Sequence, residues 1–318
     1  MKRVVTAVIL IPIVVLALFK APIWLFTLLV FLVALGAGRE YLNIAEATGV
    51  TPFRGWCFWI LGCVFYAVLV QNSQFDLTFP SALGLAFALR TLALLVAIGS
   101  PFLLMALAMG RDPLSRALPD AAVSFLIVPY IGLTLACLPT IRSFPNGAMY
   151  LLFAMLTVWT GDIAAYYVGR AIGRNKLAPR VSPGKTWEGT IASTACAVLV
   201  AFLLFHFINP IAGVLVRSHL TSPPGYVSAL QTTNPSLSYP AMPFWLIALF
   251  AVCVNVAAQV GDLVESAFKR GAGLKDSGTM LPGHGGVLDR IDALLFALPG
   301  ALLFYISGMV QYLQPGVR

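Results

Sequence analysis

Acids and bases crowd together in the stretch GDLVESAFKRGAGLKDSGTMLPGHGGVLDRID, residues 261–292, of a chain in which only 10% of residues are charged. At helical spacing Asp262, Ser266 and Lys269 follow i, i+4, i+7, with Glu265 beside them. Asp289 and Asp292 lie three apart and share a face where the next apolar run begins, while Arg290 points elsewhere. Three carboxylates converging from two helix ends repel one another unless a cation sits between them. Hard oxygen ligands of this kind suit Mg2+, particularly where nucleotide phosphates complete the shell. Gly283, Gly285 and Gly286 around His284 allow a tight turn and a close approach of backbone to a ligand. The helix dipole alone would favour Asp289 and Asp292 at a helix N-terminus. It opposes Asp262 and Glu265 at a helix C-terminus, and it says nothing of the glycine–histidine turn.

Two upstream segments add candidates. VWTGDIAAYYVGR (158–170) puts Asp162 inside an apolar run, with Trp159, Tyr166 and Gly169 along the same helical face. An ionisable residue at that depth marks a functional position unless packing alone, for instance against Tyr166, satisfies it. GRAIGRNKLAPRVSPGKTWEGT (169–190) gathers Arg170, Arg174, Lys176, Arg180 and Lys185, enough to neutralise a phosphate chain. Within it Ser182, Gly184, Lys185 and Thr186 immediately precede a helix, with Glu188 just inside, so backbone N–H groups there could face an anion. The first glycine of a Walker A loop is missing. A basic cytoplasmic loop anchored by Trp187 would account for much of this charge without any ligand.

The elements that must position these side chains are membrane helices. The chain is 59% hydrophobic with a mean hydropathy of +0.90, well above soluble domains. About nine stretches approach the roughly 20 apolar residues that span a bilayer: 4–19, 22–38, 55–71, 91–109, 119–139, 149–169, 188–208, 243–264 and 290–312. They lack strict alternation, which favours helices over barrel strands. Fifteen of the 20 Lys and Arg residues fall on the side shared by the N-terminus and the even-numbered loops, which makes that side cytoplasmic. The expected architecture is an all-α polytopic integral membrane protein of about nine transmembrane helices with its N-terminus in the cytoplasm. The net charge of +8 favours anionic lipid headgroups at that face. Because it is dispersed over short interhelical loops, it does not indicate nucleic-acid binding.

The N-terminal run lacks a small-x-small cleavage site and reads as a retained first helix rather than a secretory leader. The five cysteines form neither a CxxC pair nor a zinc spacing. Residues 1–145 read as N-terminal helices whose few polar groups form no constellation, with 38–55 a helix end running into an interfacial loop. Residues 146–318 read as the catalytic region, with cytoplasmic loops at 170–187 and 265–289 and an outer loop at 209–242 in which no chemistry is visible. Seven of the 12 acids lie in this second half. Compact spans without long soluble tails point to a bacterial cytoplasmic (inner) membrane, with the site facing the cytoplasm.

The stretch SAFKRGAGLKDSGTMLPGHGGVLDRID resembles the signature of the phosphatidate cytidylyltransferase (CDP-diacylglycerol synthase) family. Ser266, Phe268, Lys269, Arg270, Lys275, Asp276, Gly278, Leu281, Pro282, His284, Gly285, Gly286, Val287, Asp289, Arg290, Ile291 and Asp292 fit it across 27 residues. SPGKTWEG and DIAAYYVGR also look like family segments, extending the resemblance over roughly 155–295. The resemblance implies that CTP and phosphatidate give CDP-diacylglycerol and pyrophosphate for phospholipid biosynthesis, with Mg2+ required and potassium as a second cation at the site. It implies Asp262 and Asp289 as principal metal ligands with Asp292 close by, and a homodimer. Lys269, Arg270, Lys275 and Lys185 are candidates to hold the triphosphate and the lipid headgroup, and His284 either donates a hydrogen bond to pyrophosphate or caps the turn. Ser182, Thr186, Glu188, Ser266, Asp276, Arg290 and Asp162 complete the expected substrate-binding set. The alternatives are a CTP-dependent enzyme of isoprenoid or ether lipids and a cation transporter using Asp162, Asp262 and Asp289 as an ion path.

Overall fold

The computed structural model describes residues 12–72, 80–220, 241–280, 285–309 and 312, with the side chains of 80–83 left aside. Residues 12–20 are helical (α1). There follow α2 (Ile23–Ala47), α3 (Arg54–Asn72), α4 (Pro80–Ala108), the bent span α5 (Leu114–Ser143) and α6 (Gly147–Ile172). A short antiparallel hairpin, β1 (Lys176–Ala178) and β2 (Ser182–Thr186), leads into α7 (Trp187–His206) and α8 (Ile208–Arg217). The chain ends on α9 (Phe244–Gly271) and α10 (Leu288–Phe304), the latter continued by one wider turn to Met309. Among the described residues eight helices of 19 to 30 residues are long and apolar enough to cross a membrane. At 1.5 Å per residue they reach roughly 28–45 Å, against a hydrocarbon core of about 30 Å. The chain is therefore an all-α, multi-pass membrane protein. Of the expected span 4–19, residues 4–11 lie outside the described residues, as does 221–240 of the outer loop.

Apolar spans do not need a polar face, and α4 presents Leu95, Ile98 and Phe102 outward, as a helix bathed in lipid should. Where proline interrupts a span, the freed carbonyl must find a donor. Pro101 leaves the Ala97 carbonyl without its helical N–H, and Ser100 Oγ donates to that oxygen at 2.7 Å. In α5 the backbone widens at Val128–Leu133, around Pro129, and Thr134 Oγ1 donates to the Tyr130 carbonyl at 2.6 Å.

The chain divides into two compact units, one of Pro22–Thr140 with Glu265–Leu295, the other of described residues 12–21, 141–264, 296–309 and 312. In the first, Tyr41, Tyr130 and Phe268 form an aromatic cluster with centroids 5.8–6.4 Å apart, and Tyr41 donates to the Val123 carbonyl. The fully buried Asp120 accepts from Thr51 N (2.9 Å) and Thr51 Oγ1 (2.6 Å) and pairs with Arg111 (3.0 Å), pinning the α2–α3 turn to α5. In the second, Tyr150 donates to the Ala301 carbonyl at 2.7 Å, and a buried amide network joins α7 to α9. There Asn255 Nδ2 donates to Ser193 Oγ (3.0 Å), and Asn255 Oδ1 accepts from Thr194 (3.1 Å) and Gln259 (2.6 Å).

Three local expectations change. The helix expected to end near 38 runs on to Ala47, because IAEA continues the helical pattern until Gly49, which at φ +89° accommodates the reversal. The loop 170–187 contains a hairpin too short to show a two-residue period. The polar groups of 1–145 do form constellations, one around Asp120 and another around Glu40, because their partners are distant in sequence.

Candidate active site

In the first unit, α9 delivers Glu265 and Lys269 one helical turn apart, and α10 begins at Leu288 with Asp289 in its first turn. Lys269 Nζ lies 2.6 Å from Glu265 Oε2 and 2.5 Å from Asp289 Oδ1, with the lysine side chain 12% exposed and Glu265 fully buried. One ammonium thus holds two carboxylates from two helix ends. The other oxygen of Asp289, Oδ2, accepts from the backbone N–H groups of Gly286 (2.8 Å) and Ser277 (3.0 Å). A first-turn acid reaching back in this way satisfies donors that the start of a helix leaves free. Gly285 takes a φ of +78°, and a Cβ there would stand 2.8 Å from Asp289 Oδ2, so the turn depends on this glycine.

Behind Asp289 lies a group the sequence reading did not include. Glu40, on α2, is 3% exposed. Its Oε1 accepts from Val287 N (3.0 Å), and its Oε2 from Leu288 N (2.8 Å) and Ser277 Oγ (2.9 Å). An acid inside an apolar span was the available signal, the same one that singled out Asp162.

The remaining expected residues of this unit are carried by the same elements, α9, the turn and α10. Asp292 lies one turn beyond Asp289 and accepts from Ala293 N at 2.8 Å. Ser266 is half-buried on α9, and Arg270, Lys275, Asp276 and Arg290 are exposed. His284 lies outside the described residues. In the second unit Lys185 on β2 pairs with Asp262 on α9 at 2.7 Å, the aspartate being 40% exposed. Thr186 caps α7 by accepting from Gly189 N at 3.2 Å, and Glu188 accepts from Asn175 Nδ2 at 2.8 Å, closing the base of the hairpin. Ser182 opens β2, half-buried. Arg170, Arg174, Lys176 and Arg180 are exposed around this hairpin, and Asp162 is exposed on α6.

Glu265 and Asp289 share one ammonium, Glu265 Oε1 is buried without a hydrogen-bond partner, and carboxylate oxygens such as those of Asp262, Asp289 and Asp292 are hard donors. That chemistry fits Mg2+. Among the described residues no three His, Cys, Asp or Glu side chains come together at metal-holding distance. Lysine nitrogens occupy the near positions at Asp262 and Asp289 instead.

An acid–base cluster of this kind at the ends of membrane helices suits charge neutralisation of phosphates rather than covalent catalysis, and comparison with known proteins agrees in class. Residues 1–307 match the profile of the Cytidylyltransferase family, and the chain belongs to that family. Among curated relatives it is similar to the phosphatidate cytidylyltransferase of Staphylococcus saprophyticus, 37% identical over 180 residues, which are 57% of this chain and 57% of that protein. The phosphatidate cytidylyltransferase of Haemophilus influenzae is 40% identical over 160 residues, 50% of this chain and 46% of that protein. That of Brucella suis is 39% identical over 189 residues, 59% of this chain and 57% of that protein. The matched stretch thus spans about half the length of these relatives.

Proposed function

We propose that the protein transfers the cytidylyl group of CTP to phosphatidate, giving CDP-diacylglycerol and pyrophosphate. The observation that carries this reading is the Lys269 ammonium set between Glu265 and Asp289 within the family signature. In the reaction a phosphate oxygen of phosphatidate bonds to the α-phosphorus of CTP as the bond to the β-phosphate oxygen breaks, and the electron pair leaves with pyrophosphate. A step of this kind needs positioning and neutralisation more than a protein nucleophile. Lys269, once the phosphates compete for it, exchanges a carboxylate partner for a phosphate oxygen, and Arg270 and Lys275 lie exposed nearby in sequence to receive the remaining charge. Lys185 makes the same exchange from Asp262. Asp289 cannot swing freely, because two backbone N–H groups hold its Oδ2.

Asp262, Asp289 and Asp292 are the ligands we assign to Mg2+, which when bound supplies Lewis-acid stabilisation of charge on the phosphates. Potassium as a second cation and a homodimer belong to the same proposal. So does a bacterial cytoplasmic membrane with the site and the N-terminus on the cytoplasmic side, supported by the fifteen cationic residues on that face. The acyl chains would remain in lipid while CTP arrives from water, which accounts for a charged cluster at helix ends.

The test is formation of a lipid-soluble CDP product from labelled CTP and phosphatidate by purified protein in mixed micelles. Product that disappears with EDTA and returns with Mg2+ is expected. Turnover with an isoprenoid or ether lipid but not with phosphatidate would reassign the acceptor, and cation flux without CTP consumption would overturn the enzyme reading.

A further inference from the structure

The reaction proposed above gives no work to Glu40, yet its carboxylate is among the most completely buried acidic groups in the first unit. A buried carboxylate inside an apolar span is costly unless donors surround it. Here three donors do, and all three come from the signature turn, 237 to 248 residues away in the chain. Two of them, Val287 N and Leu288 N, belong to the start of α10, where the helix dipole also favours a negative charge. A local Ser or Asp could have met that need. What Glu40 adds to such a cap is a bond from the Ser277 hydroxyl.

Ser277 is the link to the reacting cluster. Its hydroxyl donates to Glu40 and accepts from Asp289 N (3.3 Å), while its own N–H donates to Asp289 Oδ2. The packing admits nothing else at this point. A Cβ added at Gly278 would overlap the Glu40 carboxylate, and one at Gly286 would overlap both that carboxylate and Ser277 Oγ. Two signature glycines are therefore required by a carboxylate from α2, on top of any demand from substrate.

We propose that Glu40 is a positioning residue, clamping Ser277 to the first turn of α10 so that Asp289 presents Oδ1 in one fixed direction. This rests on the proposed cytidylyl transfer and on Asp289 acting in it. With Glu40 3% exposed, its carboxylate is not open to a substrate. It acts through Ser277 and the Gly286–Leu288 backbone.

The experiment uses the full chain in mixed micelles, comparing wild type with Glu40→Gln, Glu40→Asp and Ser277→Ala. Amide hydrogen exchange over 277 and 285–289 reports the clamp, and steady-state cytidylyl transfer reports its consequence. Glu40→Gln sets an amide NH2 against one of the backbone donors. It is expected to raise exchange at 287–288 by about tenfold, the equivalent of one well-made buried hydrogen bond. It should lower kcat by a similar factor, with the KM for phosphatidate within about twofold. Ser277→Ala keeps both α10 bonds to Glu40, so it should lower kcat while leaving exchange at 287–288 close to wild type. Glu40→Asp, which retains the charge, should recover part of the kcat lost in Glu40→Gln.

Exchange that rises in Glu40→Gln while kcat stays within twofold of wild type would reduce Glu40 to a cap and overturn the proposal, as would unchanged exchange. If Glu40→Gln does not fold, Ser277→Ala decides: an unchanged kcat sinks the proposal. A wild type that makes no CDP-lipid would overturn the proposed function instead, and the exchange comparison would then settle the clamp on its own.

Discussion

Replacing Lys269 by methionine keeps an unbranched side chain one atom shorter and removes the charge that two acids share. The ammonium makes bonds of 2.6 Å to Glu265 and 2.5 Å to Asp289, and Glu265 has no access to solvent. A hydrogen bond to a charged group contributes about 1.5–3 kcal/mol. Removing one partner of a buried ion pair costs about 3–5 kcal/mol, because the remaining charge is left without compensation. Counted over both bonds the first estimate is about 3–6 kcal/mol, which overlaps the second, so Lys269→Met should lose roughly 3–5 kcal/mol of unfolding free energy. Asp289 contributes less to that loss, since Gly286 N and Ser277 N still hold its Oδ2. The penalty therefore centres on Glu265, and adding Glu265→Gln to Lys269→Met should restore about half of it or more. Unfolding by increasing sodium dodecyl sulfate in mixed micelles, followed by circular dichroism, measures all three proteins. Lys269→Met within about 1 kcal/mol of wild type, or a double variant no more stable than the single, would refute the reasoning.

Gly286→Ala should destabilise the first unit by about 1–3 kcal/mol, the usual cost of overpacking, and the same unfolding titration checks it. Truncating Glu40 in that background (Glu40→Ala) should relieve part of the strain rather than add to it. In the second unit, Asn255→Leu strands Ser193, Thr194 and Gln259 without their shared partner. It should cost about 1–3 kcal/mol, whereas Ser193→Ala, which leaves Asn255 bonded to Thr194 and Gln259, should cost less.

What the sequence made legible follows from how far each signal reaches. Hydropathy is local, so each span from 22 onward was found, but α2 and α9 run on past the expected ends and α4 starts well before the expected 91; the start of α10 was marked by Asp289 and the glycines before it. The pairing of Lys269 with both Glu265 and Asp289 was only half visible: i, i+4 spacing gives the first bond, but the second depends on how the turn folds back. Glu40 was missed because its partners lie beyond residue 276, and no pattern within α2 discloses them. Gly286 shows the limit in another way. Its type was read as room for a ligand, while the structure uses that room for Glu40 and Ser277. The SPGKT segment was read as preceding a helix start, and it forms a strand whose Thr186 caps α7 and whose Lys185 pairs with Asp262.

The most direct test of cytidylyl transfer at this cluster is single-turnover formation of CDP-lipid by wild type and Asp289→Asn, with labelled CTP, phosphatidate and Mg2+. Asp289→Asn retains an oxygen for the Ser277 and Gly286 amides but loses the charge held against Lys269. Product from wild type, with a rate in Asp289→Asn lower by about a hundredfold or more, is the expected result. Equal rates from the two proteins would remove Asp289 from the reaction and contradict the account of the site.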